Sequence, residues 1–152
     1  MAAEKSKSAE TQMLIRKPIS QVFEAFIDPE ITRHFWFTKG SGRLEVNKKV
    51  TWEWEMYNMS SPVVAREIIH DKKISIEWGE PATKVDFNFE PMGEGATYIT
   101  IAHYGFQKTG DELVEEIKGS TGGFTTMVDG LKAWMEHGIE LGLVRDKFPK
   151  GK

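Results

Sequence analysis

Val50–Tyr57 reads VTWEWEMY, and the alternation within this stretch decides the fold. Val50, Trp52, Trp54 and Met56 share one face, while Thr51, Glu53, Glu55 and Tyr57 share the other. A period of two is the mark of a half-buried β-strand, because successive side chains point to opposite faces. One apolar and one polar face imply an antiparallel sheet with a single wet side.

The same period continues downstream. NMSSP turns the chain, and VVAREIIH is a second strand. After DKK, ISIEW aligns Ile74, Ile76 and Trp78. GEPAT turns again, and KVDFNFE sets Val85, Phe87 and Phe89 inward against Asp86, Asn88 and Glu90. After PMGEG, ATYITIAHYGF closes the series with Ile99, Ile101 and His103 in register. Short strands joined by Gly, Pro and Asn turns predict a meander of hairpins.

Upstream the period is helical. ETQMLIRKP is a short strand ended by Pro18. In PISQVFEAFID, Ile19, Val22, Phe23 and Phe26 recur at spacings of three and four. Asp28 then caps a second short helix with Pro29 at its first position. TKGSG reads as a loop. Downstream, DELVEEIK is helical, and GSTGG at 119–123 is expected to interrupt it, since each glycine costs about 1 kcal/mol against alanine. The helix is expected to resume near Thr121 and run to about Leu143, with Phe124, Val128, Leu131 and Met135 as its buried stripe. Gly138 and Gly142 are expected to be close-packing points against the first strand or short helices, and the emptier region to lie at GSTGG. Residues 1–9 and 144–152 are expected to be tails around one domain at 10–143. The order is α+β.

This ordered set resembles the helix-grip fold of the START-like, birch-pollen-allergen-like superfamily (SRPBCC). Within it, the chain is similar to the family related to the activator of the heat-shock chaperone ATPase. PISQVFEAFIDPEITRHFW resembles that family's Pro-led opening helix followed by Asp-Pro and an aromatic pair. IEW at Ile76–Trp78, HYGF at His103–Phe106 and GFTTMVDGLKAWMEHG resemble its mid-sheet, end-of-sheet and final-helix segments, with Phe124 where the family usually has Trp. The resemblance implies a curved antiparallel sheet of about seven strands around a long C-terminal helix, with two short helices after the first strand. It also implies a chaperone partner as one alternative. The eukaryotic co-chaperone of the family carries a further N-terminal domain that contacts the chaperone, and none is expected within these 152 residues.

Such a fold leaves a gap between sheet and helix, of roughly 300–1,000 Å³ where ligands bind. Strand parity assigns Trp52, Trp54, Met56, Ile74, Ile76, Trp78, Phe87, Phe89, Ile101 and His103 to its sheet side. Phe124, Met127, Val128, Leu131 and Met135 form the helix side, and Phe35 or Trp36 the closed end. Five Trp, nine Phe and seven Met make an aromatic lining affordable without emptying the core. A small apolar molecule is the ligand these residues suit.

Other chemistries are harder to place. His103 points inward and is open to three roles: a hydrogen-bonded core histidine, a polar anchor for a ligand, or an acid–base group. His34, His70 and His137 read as helix-end, turn and solvated positions. Arg66 shares parity with Val64 and Ile68, but its strand is apolar on both faces, and a surface or rim salt bridge is expected. With no cysteine and no His-Glu-x-x-His spacing, neither a thiolate nucleophile nor a metal or other cofactor is expected. No catalytic constellation is recognisable, although the superfamily also contains polyketide-cyclase or aromatase enzymes. A net charge of −3 argues against nucleic acid as a partner. No run approaches the ~18 apolar residues of a membrane span, and the polar N-terminus lacks a secretion signal. A cytoplasmic, non-enzymatic binding protein is therefore expected, with a chaperone-associated or stress module as the alternative.

Overall fold

A computed structural model describes residues 7–151. Strand β1 (Ala9–Ile15) is followed by helices α1 (Ile19–Ile27) and α2 (Pro29–Thr32). Strands β2 (Lys39–Gly40), β3 (Lys49–Trp54), β4 (Met59–Ile69), β5 (Lys73–Trp78), β6 (Thr83–Pro91) and β7 (Thr97–Tyr104) come next. A 3₁₀ turn (Glu55–Tyr57) separates β3 from β4. The long helix α3 (Gly110–His137) and the short α4 (Leu143–Lys147) complete the chain. All seven strands form one antiparallel sheet in the order β1-β7-β6-β5-β4-β3-β2. From β2 to β7 it is the expected meander except at NMSSP, and β1 returns to pair with β7. The chain reverses at the 3₁₀ turn and Asn58, while residues 59–62 of the expected NMSSP turn pair with β3. This is an α+β, helix-grip-like architecture.

Alternation builds the core. Along β7 the buried and half-buried residues alternate without a break, with Thr97, Ile99, Ile101 and His103 on the buried side. On β6 the same face holds Val85, Phe87 and Phe89. Phe26 of α1 packs its ring on Phe87 and Phe89 at 5.2 and 5.7 Å, and Phe23 meets Phe89 at 5.2 Å. Trp52 stacks on Phe37 at 4.8 Å, and both are fully buried. Each such side chain contributes about 1.5–3 kcal/mol by leaving water. At α2 the Asp28 carboxylate accepts the Glu30 N–H at 3.0 Å, the cap that the Asp-Pro pair predicts.

Several expectations differ from what is found. Lys39–Gly40, in the expected TKGSG loop, pairs with Trp52 and Glu53 as an edge strand. Part of the expected tail at 1–9 lies outside the described residues, but Ala9 is already buried in β1. The 144–152 tail contains most of α4. Helix α3 runs through GSTGG without interruption and ends at His137 rather than Leu143. The glycine cost is spread over a helix that buries Phe124, Met127, Val128 and Leu131, and that burial outweighs propensity.

Gly138 has nothing within 4 Å of a would-be Cβ, and Gly142 is closely approached only by the Arg145 guanidinium of α4, not by the first strand or the short helices. Both have positive φ, of 65° and 69°. Gly138 closes α3: its N–H bonds the Trp134 carbonyl at 2.9 Å and the Ile139 N–H bonds that of Ala133 at 3.3 Å, the paired pattern of a left-handed C-terminal cap. Within α3 the close approach is at Gly130. A Cβ there would stand 3.3 Å from the Phe35 carbonyl oxygen. Arg66 lies where the β4–β5 register shifts between Ala65 and Glu67, which explains its ambiguous parity. It is exposed and bonds Glu77 at 3.2 Å and Asn47 at 2.9 Å.

Candidate functional site

The two ends of α3 do different things. Its C-terminal half is fastened to β1: Thr125 and Thr11 share a hydroxyl hydrogen bond of 3.1 Å, Lys132 donates to the Leu14 carbonyl at 2.8 Å, and Glu136 accepts the Arg16 N–H at 2.8 Å. Burial opposes ionisation of Glu136, but Lys132 and the Arg16 N–H prevail and hold its pKa below the usual carboxylate value. The N-terminal half touches the sheet at Ser120 and bounds a cleft of about 620 Å³ that opens to solvent. Gly119 and Gly123, one helical turn apart, form part of this wall, and a Cβ on either would meet no atom within 4 Å. Space that larger side chains would fill is left to the cleft.

Aromatic rings make the apolar floor. Trp36 lies 5.8 Å from Trp78 and 5.6 Å from Phe124, and Trp54 lies 6.1 Å from Trp78. The rim is mixed in charge, with Glu80, Glu115 and Glu116 against Lys108 and Lys147. The mouth is narrowed by α4 and Phe148. The Tyr57 hydroxyl donates to the Val144 carbonyl, approaches that of Arg145 at 3.2 Å, and accepts the Phe148 N–H at 3.3 Å. Between Gly138 and Gly142 the chain is tied back by Glu140, which bonds His34 Nδ1 at 2.7 Å, while the His34 ring stacks on Trp134 at 4.0 Å.

His103 sits at the inner end of the cleft. Trp78 Nε1 donates to its Nε2 at 3.1 Å, and Thr83 Oγ1 lies 2.7 Å from the same nitrogen. On the far side, Nδ1 lies 2.6 Å from Ser120 Oγ on α3. An indole N–H can only donate, so Nε2 must be unprotonated. A neutral imidazole then carries its proton on Nδ1 and donates it to Ser120. Burial pushes the pKa of His103 down to about 4, which keeps the ring neutral at physiological pH.

Of the residues that parity and periodicity nominate, Trp36, Trp54, Trp78, His103 and Phe124 come together around this cleft. Trp52, Ile74, Ile76, Phe87, Phe89, Ile101, Met127, Val128 and Leu131 lie in the packed core, where α1, α2 and the C-terminal half of α3 cover the sheet. Met135 is half-buried beside that core. Phe35 and Met56 border a separate crevice of about 170 Å³ near Gly142. Strand parity stops at Trp54, because the 3₁₀ turn rotates Met56 off the strand face. Residues that pattern reading passes over also line the cleft: Tyr57, placed on the polar face; Thr83, placed in a turn; Ser120, taken for part of a break; and Val144, Lys147 and Phe148, taken for tail. The hollow helix face at Gly119 and Gly123 was the available signal.

Among the described residues, no three His, Asp or Glu side chains converge as metal ligands, and no helix is long and apolar enough to cross a membrane. Residues 16–136 match the family model described as Activator of Hsp90 ATPase homolog 1-like protein. The chain belongs to this family. No curated protein matches this AHSA1-like chain. Among solved structures, it is similar to the protein SSP2350 from Staphylococcus saprophyticus, at 29% identity over 88% of this chain and 95% of that one, with a TM-score of 0.77. It also resembles the Aha1 dimer from Colwellia psychrerythraea, at 15% identity and TM-score 0.73 over 86% of this chain and 97% of that one. DynU16, from the dynemicin biosynthetic locus, matches at 15% identity and TM-score 0.78, over 88% of this chain and 49% of DynU16. The last two likenesses are of fold.

Proposed function

We propose that this AHSA1-like domain is a binding protein for a small, largely apolar, planar molecule held in the cleft between the sheet and the N-terminal half of α3. The observation that carries this reading is the bare wall at Gly119 and Gly123 facing a floor of Trp36, Trp54, Trp78 and Phe124. The volume of about 620 Å³ lies within the range of small-molecule sites. Flat rings at these spacings favour a flat guest through offset and edge contacts. Binding is favoured over acid–base catalysis because the Nε2 lone pair of His103 is already engaged by Trp78 and Thr83.

The test is a thermal-shift screen of two- and three-ring aromatic compounds, read in parallel by quenching of tryptophan emission. A ligand at 100 times its Kd stabilises by about 2.7 kcal/mol, which for a domain of this size raises Tm by about 5–10 °C. A screen in which no compound moves the midpoint or the emission refutes the reading. The family's description supports a second reading, a chaperone-associated module. Stimulation of a chaperone ATPase by this protein alone would favour it.

A further inference from the structure

Among the described residues, the proton on Ser120 has no acceptor. Two other hydroxyls of α3 spend theirs on the carbonyl one turn back: Thr121 on Ile117 at 2.7 Å and Thr126 on Gly122 at 2.9 Å. Among the described residues the one side-chain bond of Ser120 is to His103 Nδ1, and there its oxygen is the acceptor, because Trp78 occupies Nε2 and leaves the imidazole proton on Nδ1. Ser120 also lines the cleft, between the bare glycines. A hydroxyl that accepts one hydrogen bond becomes a better donor for the next.

We propose that the chain Trp78–His103–Ser120 ends as a directed donor in the cleft, and that its complement is an uncharged carbonyl oxygen on an aromatic ligand: a ketone, aldehyde or quinone. The inference rests on the binding role given to the cleft. A carboxylate or phenolate fits less well at this point, because every member of the chain is neutral. Glu115 and Glu116 border the same cleft about one turn before Ser120 on the same helix, and the cleft's cations, Lys108 and Lys147, belong to other segments. Trp78 therefore serves twice, as a face for the ring system and as the origin of the donor chain. The class of ligand is narrowed from flat and apolar to flat and carbonyl-bearing.

A matched pair of probes tests this. 2-Acetylnaphthalene and 2-isopropenylnaphthalene share a shape and differ by an oxygen in place of a CH₂ group. Titrations followed by tryptophan quenching should give the ketone roughly tenfold tighter binding in the wild type. Ser120→Ala should erase that preference by weakening the ketone alone. Nitrogen-15 shifts of the His103 ring should report the neutral Nδ1–H tautomer, independently of any variant. Equal affinities in the wild type, a preference that survives Ser120→Ala, or tighter binding of 2-naphthoate than of the ketone would each overturn this proposal and leave the cleft's binding role standing. Failure of both naphthalenes to bind the wild type would overturn this proposal, and a blank in the wider aromatic screen as well would overturn the binding role with it.

Discussion

Replacing Gly119 and Gly123 by alanine should make the protein more stable. Both lie inside α3 with helical backbone, and neither is among the glycines with positive φ. Alanine is favoured over glycine by about 1 kcal/mol at an exposed helix position, because the unfolded chain loses less entropy on ordering. A methyl at either site meets nothing within 4 Å, so no steric cost offsets the gain. The double variant should gain about 2 kcal/mol, or about 4–8 °C in Tm for a domain of this size. Urea unfolding should show a higher midpoint with an unchanged slope. Gly130 is the control. Its added methyl would stand 3.3 Å from a buried backbone oxygen, so Gly130→Ala should gain less than either, or lose stability. Gly123→Leu extends further into the cleft and should weaken any cleft ligand while leaving the fold intact. A double alanine variant no more stable than the wild type would refute the reasoning, because it would mean that the wall is not open or the helix is not regular there.

Two further outcomes follow from the same site. His103 stays neutral in the folded protein down to about pH 4, whereas an unfolded histidine takes a proton near 6.5. The unfolded state therefore binds the extra proton first, and stability should fall as pH drops from about 6.5 towards 4, by about 2 kcal/mol at pH 5 relative to pH 7. Urea titrations should show a shallower pH dependence in His103→Gln, and equal slopes in the two proteins would contradict the buried neutral ring. Tyr57→Phe removes the hydroxyl that holds Val144, Arg145 and Phe148. Amide exchange should accelerate selectively over residues 143–148, with global stability lower by about 1 kcal/mol or less; unchanged exchange would show that the segment is held by packing instead.

The sheet was legible because alternation survives in single strands: Val85, Phe87 and Phe89 need no partner to declare their face. Helix α1 was legible for the same reason at its own period. What failed was local cost set against distant gain. GSTGG reads as a break because propensity is a property of five residues, while the burial of Phe124, Met127, Val128 and Leu131 that carries the helix through them is not. Gly138 and Gly142 continue the apolar spacing of the stripe, and a sequence does not show that both need a positive φ. The bulge at Arg66 blurred parity just where the register shifts. At the cleft, parity names the face of the sheet but not the part of it left uncovered. That depends on the tilt of α3, set by Thr11–Thr125, Leu14–Lys132 and Arg16–Glu136, contacts more than a hundred residues apart in the chain.

The division of α3 into a half fastened along β1 and a half that borders the cleft has an evolutionary consequence. Substitutions at Gly119 and Gly123 change the cleft wall without touching the side chains of Thr125, Lys132 and Glu136 that hold the helix to the first strand and the residue after it. Recognition can drift there without drawing on the interactions that keep the domain folded, so relatives with closely similar backbones can diverge in what they hold.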